Sequence, residues 1–144
     1  MKFLVFLFVL TVVFFVSCGK GLTTKPQISI ESINTSIPNN GEFNATLKFS
    51  DKQGDLGGAT LTTIIVPTNT LPPPGGVADT TIIMDTIPSF PNSPKGEFLV
   101  TLPWSSFSQQ VLRNDTCYVQ FIVVDRAGNK SDTIKSPQII ALYQ

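Results

Sequence analysis

From Gln27 onward, apolar residues recur at every second position in short runs, and proline, glycine or asparagine closes each run. A period of two belongs to a strand with one face on a core; a helix would repeat every three to four residues. Glu42–Ser50 shows it most plainly, with Phe43, Ala45, Leu47 and Phe49 on one face and Asn44, Thr46 and Lys48 on the other. Further strands are predicted over Gln27–Ile33 and residues 60–66, 80–87, 97–102 and 116–124. A last one covers 131–134 and 138–142, interrupted at Pro137 as suits an edge or a bulge. Residues 116–124 carry Cys117, Val119, Phe121 and Val123 on one face and Tyr118, Ile122 and Val124 on the other, the pattern of a central strand. Residues 105–112 allow one short helical turn at most.

The N-terminus has a different character. After Met1-Lys2, residues 3–16 contain no charge and only Thr11 as a polar interruption. This is shorter than the ~20 residues a span requires and fits the apolar region of an export signal. Phe15-Val16-Ser17-Cys18 follows and resembles the lipobox of bacterial lipoproteins, with Phe15 where leucine is usual. The resemblance implies cleavage before Cys18 and acylation of its sulfur. Each buried acyl (palmitate) methylene contributes about 0.8 kcal/mol, so two or three chains anchor a protein for good. The expected organisation is a signal peptide over 1–17, a lipidated cysteine and tether over 18–26, and one domain over 27–144. Gly19 replaces the aspartate of inner-membrane retention, so the expected address is the cell envelope at the outer membrane, with the leaflet open.

Composition removes several function classes. The 144 residues hold no histidine, hence no ordinary Ser/His/Asp triad and none of the commonest metal ligand. Ten basic residues balance ten acidic ones, and loss of Lys2 with the signal leaves −1, without the basic stripe that nucleic acid demands. With Cys18 acylated, Cys117 is a lone thiol and reads as a small buried hydrophobe.

Seven short strands punctuated by turns indicate an antiparallel, immunoglobulin-like β-sandwich. Val123-Val124-Asp125-Arg126-Ala127-Gly128-Asn129-Lys130-Ser131 resembles the final hairpin of fibronectin type III and related domains, although Tyr118 stands one residue later than that family's corner tyrosine. Phe49-Ser50-Asp51-Lys52-Gln53-Gly54-Asp55-Leu56-Gly57 resembles a turn of small Bacteroidota-type surface lipoproteins of unknown function. The combined resemblance implies a single fibronectin type III-like domain on a lipid anchor.

In that arrangement the loops 51–58, 88–96 and 125–130 gather at one end, which would bring Asp51 and Asp55 to Asp125. These carboxylates, with Gln53, Asn129 and backbone carbonyls, can bind Ca²⁺, which takes six to eight oxygens. They can equally serve turn geometry by capping nearby N–H groups. Paired acids also raise glycoside hydrolysis, but nothing in the sequence marks one acid for a raised pKa. Exposed aromatics would suit sugar binding. Phe90, framed by Pro88 and Pro91, is the first candidate; Tyr143 is another, while Trp104 beside Pro103 reads as core. The loop 68–77, stiffened by Pro72-Pro73-Pro74, reads as a connector or a partner-binding tip. Asp79-Thr80-Thr81, Asp85-Thr86-Ile87 and Asp132-Thr133-Ile134 resemble a short O-glycosylation pattern. The sequence therefore leads us to expect a non-enzymatic, lipid-anchored envelope component that binds a protein or glycan partner. A carbohydrate-binding accessory lipoprotein is the alternative.

Overall fold

The computed structural model describes residues 24–69, 79–110 and 112–144. The expected signal segment, Cys18, Gly19 and the triple-proline part of the 68–77 loop lie outside the described residues. Nine strands and one 3-10 turn make up the described body. In chain order these are β1 (Gln27–Ile33), β2 (Ser36–Ile37), β3 (Glu42–Ser50), β4 (Thr60–Pro67), β5 (Thr81–Thr86), β6 (Lys95–Pro103), the turn Trp104–Ser106, β7 (Asp115–Val124), β8 (Ile134–Lys135) and β9 (Ile139–Ala141). Among the described residues no helix is long and apolar enough to cross a membrane.

The strands form two sheets. One has three strands in the order β1-β3-β6, all antiparallel. The other has six, ordered β2-β9-β7-β4-β5, with β8 also on β7. The period of two in the sequence becomes a single core fed by both sheets. Phe43, Ala45, Leu47 and Phe49 of β3 meet Phe98, Val100 and Leu102 of β6, Leu61 and Ile65 of β4, and Cys117, Val119, Phe121 and Val123 of β7. Burial of these faces supplies the main drive to fold, at roughly 25 cal/mol per Å² of apolar surface.

What is shown is an all-β body of two sheets, the coarser part of the immunoglobulin-like antiparallel β-sandwich that was expected. Two details depart from the expected strand set. Ser36–Ile37 pairs in parallel with Ile140–Ala141, adding a strand too short to be read as a period. Pro137, which has no N–H to give, splits the last strand into β8 and β9. Serine side chains take over where that strand lapses. Ser131 Oγ accepts from Val123 N at 2.9 Å and Ser136 Oγ from Val119 N at 2.8 Å, so the β7 donors stay satisfied. At the far end of β7, the carboxylate of buried Asp115 accepts from Gln109 N, Gln110 N and Asn69 Nδ2 at 2.7–2.9 Å.

Candidate functional site

The loop from Asp51 to Gly58 leaves the end of β3 and is pinned by buried Leu56. Asp51 is fully buried and organises it: Asp51 N donates to Pro94 O at 2.8 Å, Asp51 Oδ2 accepts from Asp55 N at 3.1 Å, and Asp51 O accepts from Gly54 N at 3.3 Å. With its amide oriented to donate, Gln53 reaches Asp51 Oδ1 at 3.1 Å. Gly54 has φ 68°, a left-handed conformation that glycine adopts without strain. A Cβ on Gly57 would stand 2.9 Å from the carbonyl oxygen of Phe90. Glycine at this position therefore lets the segment before β6 lie directly on this loop.

The third loop arrives from β7. Asp125, also buried, closes the turn that sequence marks with Gly128 and Asn129. Its N–H donates to Asn129 O at 3.0 Å, and its carboxylate accepts from Asn129 N at 2.7 Å and Nδ2 at 2.8 Å. Arg126 next to it spans the other two loops, donating through Nε to Asp55 O at 3.2 Å and through Nη2 to Asn92 Oδ1 at 3.4 Å.

The structure thus brings Asp51, Asp55 and Asp125 together, with one carboxylate oxygen of each within 4.8 Å of the others. Such a cluster can coordinate a metal ion, and the donor set is the hard oxygen type. Asp55 Oδ1 is buried and meets no donor among the described residues, which fits an ion better than a closed hydrogen-bond network. Desolvation, the side-chain contact with Asp51 and the negative charges of Asp125 and Asp51 push the Asp55 carboxyl above the ordinary aspartate range.

Beside the carboxylates lies an open cleft of about 350 Å³ lined by Phe49, Phe90, Pro91, Asn92, Lys95 and Glu97, among others. Phe90 is half-buried and stacks on Phe49 with ring centroids 5.4 Å apart and planes 24° from parallel. Gly96 makes the stack possible, since a Cβ there would come within 2.8 Å of the Phe49 ring. Phe49 was legible as a core residue and is one; its opposition to Gly96 across the β3–β6 ladder is the signal that its ring has space on that side.

The other aromatic candidates are placed differently. Trp104 packs against the core and donates through Nε1 to Leu142 O at 2.8 Å, while Tyr143 is tied through its backbone to Asn39 and Asn114. Cys117 is buried, and burial followed by the charge of Asp115 pushes its thiol up to about 12, which leaves it no nucleophile. A separate amide-rich cleft of about 300 Å³, including Asn69, Gln110, Asn114 and Gln138, has no aromatic wall among the described residues.

No protein family and no curated protein matches the chain. Among solved structures it is similar to a family 76 glycoside hydrolase from a bovine Bacteroides thetaiotaomicron strain, with 12% identity and a TM-score of 0.40 over 82% of this chain and 20% of that one. It is similar to a β-glucosidase from Listeria innocua in complex with gluconolactone, with 8% identity and a TM-score of 0.42 over 80% of this chain and 16% of that one. A third is β-glucosidase 3B from Thermotoga neapolitana in complex with glycerol, with 10% identity and a TM-score of 0.38 over 83% and 17% of the two chains. This chain spans a fifth or less of the length of these enzymes.

These findings correct the expected resemblance, because the matched structures named here are glycoside hydrolases and not surface lipoproteins with an immunoglobulin or fibronectin type III-like domain. The expectation of a non-enzymatic binding or structural envelope component, with its exclusion of enzymatic chemistry, is corrected on this chain's own residues, since three carboxylates meet at one pole. At such identities no activity or substrate passes from those enzymes to this chain.

Proposed function

We propose that the chain is a carbohydrate-binding protein whose binding pole is the Phe90 cleft, with Asp51, Asp55 and Asp125 holding Ca²⁺ behind it. The observation that carries this reading is the Phe90 ring, half-buried on Phe49 and set in a cleft with Asn92, Lys95 and Glu97. A sugar ring has one apolar C–H face and a rim of hydroxyls. An aromatic wall beside an amide and a carboxylate matches both parts, as in the general pattern of an apolar pocket with few placed polar groups. A calcium ion would fix the 51–58 and 125–130 loops, and Arg126 extends that order to Asn92.

The test is a glycan array with the full-length protein, followed by titration of the best ligand. Phe90→Ala should weaken binding at least about tenfold, equivalent to ~1.4 kcal/mol. A wild-type protein that retains no glycan overturns the reading.

One observation favours a second reading, hydrolysis of a glycosidic bond at the same pole. Asp55, with its raised pKa, has the character of a general acid, and ionisable partners stand beside it. Release of sugar from an oligosaccharide, abolished in Asp55→Asn while binding persists, would support it; intact oligosaccharide after prolonged incubation removes it.

The address is a separate proposal that rests on sequence alone. We infer that Cys18 is acylated after removal of residues 1–17 and holds the domain at the cell envelope, on the outer-membrane side by the residue at position 19. Recovery of the native protein in the membrane fraction, with an N-terminal mass increased by the acyl groups, is the expected result.

A further inference from the structure

The Phe90 cleft does not end at β6. A second open cleft, also of about 350 Å³, is lined by Gln27, Ile28, Ser29, Lys48 and Ser50, and shares Phe49 and Lys95 with the first. The two clefts adjoin at these residues and between them reach from the Phe90–Asn92 segment, past the ends of β6 and β3, to the start of β1. Lys95 stands at the junction, opposite Ser50 in the ladder.

The charges along the two clefts are not equivalent. Lys48 is already held by Glu31 at 2.6 Å and by Glu97 at 3.7 Å. That contact draws Glu97, the only carboxylate lining either cleft among the described residues, towards its own cation. Lys95 is exposed and makes no ion pair among the described residues. The adjoining clefts therefore offer the half-buried Phe90 ring at one end, hydroxyl and amide groups at both ends, and between them the Lys95 ammonium, in no ion pair among the described residues. An ammonium is a flexible point charge suited to a carboxylate or sulfate group.

Resting on the carbohydrate reading above, we propose that the joined clefts bind an extended acidic glycan, one chain lying across both, with an acidic sugar seated on Lys95. Neutral sugar units fill the Phe90 end. The Lys95 contact sets the preference for charge, whereas Phe90 supplies affinity for any glycan.

Titration of the full-length protein with a galacturonic acid hexamer and a galactose hexamer, at low and at high salt, tests this. The acidic hexamer should bind about tenfold tighter at low salt. The advantage should shrink as salt screens the exposed pair. Lys95→Gln should remove the preference, bringing the acidic hexamer down about tenfold relative to the galactose hexamer, while Phe90→Ala should weaken both. Equal binding of the two hexamers by the wild type, or a preference that survives Lys95→Gln, overturns the acidic-glycan inference and leaves the carbohydrate reading standing. Binding of neither hexamer, together with an empty glycan array, overturns both.

Discussion

Thr63 is the residue whose chemistry fits its surroundings least. It sits in β4 facing the core, is fully buried, and its Oγ1 meets no hydrogen-bond partner among the described residues. A buried hydroxyl without a partner costs about 1–3 kcal/mol. Thr63→Val keeps the branched shape and the strand preference while replacing the hydroxyl by a methyl. It should raise the denaturant midpoint, by about 1 kcal/mol of stability at unchanged m; a lower midpoint would show that the hydroxyl is engaged. This residue illustrates what sequence could not reveal. Threonine at 63 shares the period-two face of Leu61 and Ile65, but no sequence signal shows that its hydroxyl lands there without a partner. By contrast Phe43, Leu47, Phe121 and Val123 were legible at once, because their positions follow the period of two without conflict.

At the scale of elements, the seven predicted strand regions correspond to strands in the structure, with limits differing by a few residues. The exceptions lie where a strand is held by something other than its own pattern. β2 is two residues long and exists because Ser36–Ile37 docks beside β9, so no local signal announces it. The β8–β9 segment is a run of backbone around Pro137 whose place on β7 depends on two serines. Both hydroxyls accept from β7 amides and donate onward, Ser131 to Asp132 O at 2.9 Å and Ser136 to Pro137 O at 2.6 Å. Ser136→Ala leaves the buried Val119 N–H without that acceptor and should cost about 1–3 kcal/mol. Faster amide exchange at Val119 than at Val123 would locate the loss; a stability unchanged from wild type would mean that the gap is filled by water. Ser136→Thr, which retains the hydroxyl, should recover part of the loss.

At the scale of the molecule, the candidate site depends on three loops that are remote in sequence. Their gathering at one end was an expectation from topology, and the approach of Asp125 to Asp51 and Asp55 across 70 residues was legible to that extent. The adjoining clefts were not, because they depend on Phe49 lying over Gly96 and on Lys95 being left unpaired while Lys48 is not. The carboxylate cluster gives the last prediction its sign. Without a cation, Asp55 has a raised pKa in the folded chain, so between its unfolded and folded pKa values the native state binds the extra proton. Stability then falls as pH rises through that interval. In chelator, the melting temperature should therefore climb on acidification from neutral pH towards the raised pKa, and Asp55→Asn should flatten that limb. Ca²⁺ binds the ionised carboxylates, so at neutral pH it should raise the melting temperature with concentration. At a hundred times its dissociation constant the gain is about 2.7 kcal/mol. Because proton and cation compete for the same oxygens, added Ca²⁺ should also abolish the gain on acidification. A melting temperature indifferent to Ca²⁺ at neutral pH would leave the three aspartates as turn-forming groups, with Asp51 and Asp125 held by the loop amides they already accept from.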